Sequence, residues 1–218
     1  MKALILVDIQ NDFLPGGALA VPRGDEVIPV ANRLQKAFPR VVATQDWHPA
    51  NHGSFAANHP GRKPFEQIDL NGLAQTLWPV HCVQGTQGAA LAPALEQDHL
   101  AEVFQKGTDP AIDSYSGFFD NGHRKPTGLG DWLKAQGVTE VHVCGLATDY
   151  CVKFTALDAL GLGFKTCLIE DASRGVNLQP ADSQQAIEEM AQAGVSVLQS
   201  AAILSGRPGK PGLHHPSS

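Results

Sequence analysis

The sequence is poor in several things, and each shortage removes a class of protein. Cysteine occurs four times in 218 residues, at Cys82, Cys144, Cys151 and Cys167, with no tight spacing. That is no disulfide framework, and the thiols are expected to be reduced. Basic residues are outnumbered, 16 Lys and Arg against 22 Asp and Glu, for a formal net charge of −6. A nucleic-acid binder needs a basic face to neutralise phosphates, so that class is excluded. Long apolar runs are missing too: Ala3–Val7 is stopped by Asp8, far short of the ~20 residues that span a bilayer. No small-residue cleavage site follows it, so neither membrane insertion nor export is expected, and the expected compartment is the cytoplasm. There is no internal repeat. The turn after the first apolar run is Asp8-Ile9-Gln10-Asn11-Asp12, without the G-x-G-x-x-G of a nucleotide-binding Rossmann protein.

What is present suits one buried core. Hydrophobic residues make up 43% and charged ones 17%, in a length that fits a single domain. Short β-rich runs stand at Ala3–Val7, Arg40–Thr44, Leu100–Gln105, Val141–Gly145, Phe164–Ile169 and Val195–Leu198. Helical stripes lie between most of them: Val27, Val30, Ala31 and Leu34; Val152, Ala156, Ala159 and Leu160; Ala186, Ile187 and Met190. This alternation predicts a three-layer α/β/α domain over residues 1–205 on a mostly parallel sheet of about six strands. Residues 206–218, rich in Pro, Gly and Ser and carrying His214 and His215, are expected to be a mobile tail. From Asp46 to about Gly88 the periodicity lapses into His, Asn, Pro and Gly, and a loop that long usually carries function.

In open parallel sheets, ligands bind beyond the carboxyl ends of the strands. The first run delivers Asp8 there, the second Asp46 and His48, the third Lys106, and the fourth leads into Gly145-Leu146-Ala147-Thr148-Asp149-Tyr150-Cys151. A single strand-end Asp is usually a loop cap, but four such ends together point to a reactive site. Thr148 is placed to cap a helix, with Cys151 in its first turn, where the helix's positive end lowers a thiol pKa. Cys151 is therefore the candidate nucleophile, and Asp8 and Lys106 are its candidate partners. Cys144 and Cys167, inside apolar strands, read as buried structural thiols. Asp46-Trp47-His48 with later histidines suggests a divalent metal with O and N donors: Zn²⁺, Fe²⁺ or Mn²⁺. On chemistry alone His52, His59, His81 and Cys82 compete for the remaining positions.

Val7-Asp8-Ile9-Gln10-Asn11-Asp12-Phe13, Asp46-Trp47-His48, Trp78-Pro79-Val80-His81-Cys82, Lys106-Gly107, Tyr115-Ser116-Gly117-Phe118 and Gly145–Cys151 together resemble the nicotinamidases (pyrazinamidases) of the isochorismatase-like hydrolases. The resemblance spans all but the tail. It implies a triad of Asp8, Lys106 and Cys151, and one metal ion per chain, Zn²⁺ first, on Asp46, His48 and His81. His52 stands where some relatives have a further ligand. Phe13, Trp78, Tyr115, Ala147 and Tyr150 match substrate-pocket positions, and Leu146–Ala147 matches a peptide that is cis in relatives. The implied reaction turns nicotinamide or pyrazinamide into the acid and ammonia, in NAD salvage. Asp8 takes the thiol proton, Cys151 attacks, the Ala147 and Cys151 amides hold the oxyanion, and water releases a thioester. The partner is thus a small-molecule amide; homo-oligomerisation is left open. The rival readings are another hydrolase of this fold, acting on isochorismate or a different small amide, and a non-catalytic metal module, which would leave Asp8, Lys106 and Cys151 without a purpose.

Overall fold

The computed structural model describes residues 1–205, so the tail expected beyond them, with His214 and His215, lies outside the described residues. Eight strands form: β1 (Lys2–Val7), β2 (Arg40–Asp46), β3 (Gln67–Leu70), β4 (Leu73–Thr76), β5 (Leu100–Lys106), β6 (Glu140–Leu146), β7 (Lys165–Arg174) and β8 (Ser196–Leu198). Six of them make one sheet in the order β5-β2-β1-β6-β7-β8, with every neighbouring pair parallel. The helices are α1 (Val27–Gln35), α2 (Leu129–Ala135), α3 (Lys153–Gly161), α4 (Asp182–Ala193) and α5 (Ser200–Leu204). Among the described residues no helix is long and apolar enough to cross a membrane.

Side-chain alternation along the strands divides the core in two. Leu4 and Leu6 of β1 pack with Val27, Ala31 and Leu34 of α1, and Ile203 of α5 joins them. Ala3, Ile5 and Val7 face the other way, against Leu129 and Leu133 of α2, Ala156 and Ala159 of α3 and Met190 of α4. Both faces of β1 are buried, which is why its sequence is a continuous apolar run. The sheet with its two helical layers is the three-layer α/β/α architecture expected.

Several elements were not legible as such. β3 and β4 form an antiparallel hairpin inside the stretch that reads as irregular, because Gln67–Leu70 is short and half exposed. α2 is seven residues with a glycine inside, too brief for a periodic signal. β7 runs on to Arg174, past the apolar Ile169.

Topology then locates the site. From β1 the chain builds outward to β2 and β5, then restarts on the other side with β6, so the order reverses between β1 and β6. The crevice over their C-terminal ends is where such sheets take ligands. Register sets the depth, pairing Val7 with both Thr44 and Gly145, and Asp46 with Lys106. Gly145, at φ 123°, permits the closeness of β6, since a Cβ there would strike the Val7 carbonyl.

Candidate active site

Lys106 is the node of the site. Its side chain is fully buried, with Nζ 2.8 Å from Asp8 Oδ2 and 2.8 Å from Asp46 Oδ1. The ammonium donates to Asp46 Oδ1, to the Ser114 carbonyl at 2.9 Å and to Cys151 Sγ at 3.4 Å. Asp8 Oδ2, 2.8 Å from the same ammonium, is its ion-pair partner without meeting the geometry of a directed hydrogen bond. Asp8 Oδ1 accepts from Thr44 Oγ1 at 2.7 Å. Asp8 therefore keeps one oxygen anchored and one open as an acceptor.

The electrostatics follow from burial against pairing. Burial works against the Lys106 ammonium, but the Asp46 and Asp8 carboxylates outweigh it and hold Lys106 charged well above the usual lysine range. Asp46 is pushed up by burial and pulled down harder by Lys106 and His48, and it stays ionised. Asp8 goes the other way: burial, with Asp46 as a like charge, overcomes the pull of Lys106 and raises it. Burial also raises Cys151 well above an ordinary thiol; Lys106 opposes this, while Asp8 and Asp46 add to it. The expectation of a thiol acidified by the helix start is thus corrected. Burial favours the protonated thiol and raises the basicity of the carboxylate beside it, an arrangement suited to proton transfer during attack.

The helix start also differs from expectation. Ala147, not Thr148, occupies the cap position, and no side chain caps it. The turn Thr148–Val152 is wide, with the Tyr150 and Val152 amides both donating to the Ala147 carbonyl at 3.1 Å. Cys151 does lie in this first turn, and Leu146–Ala147 is a cis peptide. Asp149 accepts from the Val176 and Asn177 amides at 2.9 and 2.8 Å, tying that loop to the cleft.

Asp46 turns its second oxygen to two imidazoles, with His48 Nε2 at 3.1 Å and His81 Nε2 at 3.4 Å from Oδ2. His48 Nδ1 donates to the Gly107 carbonyl and His81 Nδ1 to the Pro79 carbonyl, both at 2.7 Å. Those carbonyls put the ring protons on Nδ1, so both Nε2 lone pairs face the carboxylate. Acceptors converging this way need a proton or a cation between them. Two ligands of a tetrahedral zinc-type ion stand about 3.3 Å apart, which these separations match. The residues therefore fit a divalent metal. Without one, burial tends to lower His48, yet Asp46 and the Gly107 carbonyl raise it to about 9. Gly107, at φ 67°, has no Cβ to press on the His48 ring.

His52 does not join this group; its potential ligand atom clusters with those of His48 and Asp113. Its Nδ1 accepts from the Ser54 amide at 3.1 Å, which leaves the proton on a buried Nε2. Cys82 is fully buried, and its amide is bonded to Asp12 Oδ2 at 2.8 Å.

A cleft opens over these groups, lined among others by Phe13, Trp78, Tyr115, Ala147, Tyr150 and Cys151. Trp78 and Tyr150 meet edge to face at 4.9 Å, and Trp78 Nε1 donates to the Tyr115 hydroxyl at 3.2 Å. These contacts make rigid, flat walls. Four positioning groups escaped the sequence reading. Gln10 clamps Asp46 through its backbone N–H and C=O at 2.9 and 2.8 Å. Thr44 anchors Asp8, Ser114 accepts from Lys106, and Asp113 lines the cleft. Gln10 and Thr44 sit two residues from Asp8 and Asp46, so alternation was the signal that could have found them.

Of the four cysteines only Cys151 lines the cleft. Burial raises all four thiols, Cys144 to about 12 and Cys167 to about 11, so access from the cleft and not acidity sets Cys151 apart. Substoichiometric iodoacetamide near neutral pH is expected to label Cys151 first. Peptide mapping that finds Cys82 or Cys167 modified ahead of it contradicts this geometry.

The isochorismatase domain model matches residues 2–202. A nicotinamidase of Escherichia coli (strain K12) is 57% identical over 200 residues, 90% of this chain and 93% of its own. A solved nicotinamidase/pyrazinamidase of Acinetobacter baumanii superposes with a TM-score of 0.90 at 50% identity, covering 93% of this chain and 97% of that one. A pyrazinamidase of Pyrococcus horikoshii, solved in complex with zinc, gives 0.74 at 41% identity, over 91% and 98%.

Proposed function

This chain belongs to the isochorismatase family, and from that premise we propose that it hydrolyses the carboxamide of nicotinamide, and of pyrazinamide, to the ring carboxylate and ammonia. It is an amide C–N hydrolase whose product, nicotinate, feeds pyridine nucleotide salvage. The observation that carries the reading is the buried Lys106 ammonium, 2.8 Å from the Asp8 carboxylate and 3.4 Å from the Cys151 sulfur, below aromatic walls and beside a metal-ligand group.

The pyridine ring lies between Phe13, Trp78, Tyr115 and Tyr150, with the carboxamide carbon over Cys151. Asp8 takes the thiol proton as the Sγ–C bond forms. The Ala147 and Cys151 amides receive the developing oxyanion. Asp8 returns the proton to the leaving ammonia, and a thioester remains. Asp8 then takes a proton from the attacking water, and the thiol departs reprotonated. Lys106 stays charged throughout, so it stabilises the carboxylate and the sulfur without titrating.

The metal proposed on Asp46, His48 and His81 is zinc, in line with the N and O donor set and the zinc-bound relative. Bound there, the ion supplies Lewis acidity and a fixed positive charge at the cleft wall. His48→Ala or His81→Ala is expected to lower metal affinity beyond the roughly 10–100-fold that losing an outer-shell partner costs. His52→Ala is expected to leave it near wild type. Elemental analysis finding full occupancy without His48 and His81 rejects this site; finding iron or manganese in place of zinc corrects the metal.

The cytoplasm is the proposed compartment, in keeping with four free cysteines. The deciding assay compares ammonia release from nicotinamide and pyrazinamide with consumption of isochorismate by metal-loaded protein. Turnover of isochorismate alone overturns the reading.

A further inference from the structure

We infer that Glu140, His142 and Cys167 form a second site for a divalent transition-metal ion of zinc type, towards the N-terminal ends of β6 and β7, opposite the cleft. Glu140 and His142 lie two apart on β6, so their side chains share a face, and His142 is in register with Cys167 on β7. One ligand atom from each lies within 4.8 Å of the other two. The separation from Glu140 Oε1 is 3.3 Å to His142 Nε2 and 3.8 Å to Cys167 Sγ. On a tetrahedral zinc the corresponding edges are about 3.3 Å between N and O donors and about 3.5 Å to a sulfur. The two separations from Glu140 are therefore within a few tenths of an ångström of those edges, and the His142–Cys167 pair lies within 4.8 Å.

The second observation is His142 itself. It is 4% exposed, yet neither ring nitrogen has a hydrogen-bond partner among the described residues. Its Nε2 is near the Glu140 carboxylate but not aligned for a hydrogen bond. A buried donor and acceptor both left open are costly, and a metal is one of few things that uses an imidazole lone pair there. Burial, outweighing the nearby Glu140, pulls His142 below its ordinary pKa, which keeps that lone pair available. Phe38 meets the ring edge-on at 5.0 Å and fixes its plane.

Two features oppose binding. Lys2 and Lys165 stand 3.9 and 3.8 Å from the Glu140 carboxylate, but their side chains are 60% and 71% exposed and can swing into solvent. Cys167 carries a proton, being raised by burial to about 11. Binding forms the sulfur–metal bond, breaks S–H and sends that proton to buffer. Glu140 is 15% exposed on its side chain, giving the ion its entry, and water completes the coordination. The triad and the first metal group lie at the other end of β6, about 20 Å away for seven residues of strand. Occupancy would cross-link the starts of β6 and β7 without touching the chemistry.

Cobalt(II) tests this, because the first metal group has no sulfur donor. Titration of metal-stripped full-length protein is expected to take up two equivalents, one of them bringing the near-ultraviolet absorption of a thiolate bound to cobalt. Cys167→Ala and His142→Ala are each expected to lose that equivalent and the band while keeping wild-type ammonia release, which shows that they fold. Cys167→Ser serves if the alanine variant is unstable. Cys82→Ala, beside the first metal group, is expected to keep the band. Uptake of one equivalent without a sulfur band, or a band that survives in folded Cys167→Ala or Cys167→Ser, overturns the site. The readout is optical and independent of turnover, so its failure is distinguishable from failure of the proposed reaction.

Discussion

Asp8→Asn is expected to fold and bind its metal while losing about 10²–10⁴-fold in turnover, the range attributed to a general base. The amide is nearly the same size, and its carbonyl can keep the 2.7 Å bond from Thr44 Oγ1. What disappears is the open oxygen beside Cys151 and Lys106. The thiol, raised by burial, then has no group to take its proton as the sulfur attacks. The new NH₂ also faces the Lys106 ammonium across a position that was 2.8 Å, so some stability is lost, and a melting curve has to accompany the kinetics. Metal content is expected to hold, because Asp46, His48 and His81 are untouched. A folded variant with nearly normal turnover would remove Asp8 as proton acceptor.

Lys106→Met is expected to give the largest stability effect, about 3–5 kcal/mol, the usual result of removing one partner from a buried ion pair. Two carboxylates would remain at 0% and 4% exposure with their shared cation gone. One must then take a proton or draw in water, and Asp46 cannot do the first and still serve a metal. Activity and metal affinity are expected to fall together. The pH dependence has a definite sign. Lys106 is raised on folding, so its contribution is complete below the unfolded value of about 10.4 and is lost as pH climbs through the folded one. Asp46 is lowered, so its share is present above about 3.9 and is lost as pH falls through its folded value. Urea unfolding of metal-free protein at neutral pH measures the difference. A change under about 1 kcal/mol would mean that Lys106 is not the hub its contacts describe.

The parallel sheet was legible because a strand buried on both faces must be largely apolar, as Ala3–Val7 of β1, Val41–Ala43 of β2 and Val143–Leu146 of β6 are. The gathering of Asp8, Asp46, Lys106 and Cys151 was legible for a topological reason: side chains just past parallel strands all emerge on one edge. Choosing His81 over Cys82 was not open to spacing alone and came from the resemblance. The structure gives a physical ground, since Cys82 is folded away into the α1 side of the core while the Pro79 carbonyl aims His81 at Asp46. The protonation of Cys151 could not be read, because a helix start and a lysine are visible in a sequence but the depth of burial that outweighs them is not. Asp113 and Ser114 were hidden by lying in a loop without periodicity.

Strand order also has a consequence for how the chain is made. Lys2 pairs with Glu140 and Val7 with Gly145, so one edge of β1 waits for nearly the last third of the described chain. During synthesis, β1, β2 and β5 can associate as soon as they emerge, leaving an apolar strand unpaired along its inner edge. Such pairings of distant segments are slow to form and leave sticky edges exposed meanwhile. A polypeptide interrupted before β6 would carry Asp8, Asp46 and Lys106 yet lack both Cys151 and the second half of the sheet. It would be prone to aggregate, not partly active. Delay between residues 106 and 140 therefore prolongs the interval in which that inner edge stays unpaired.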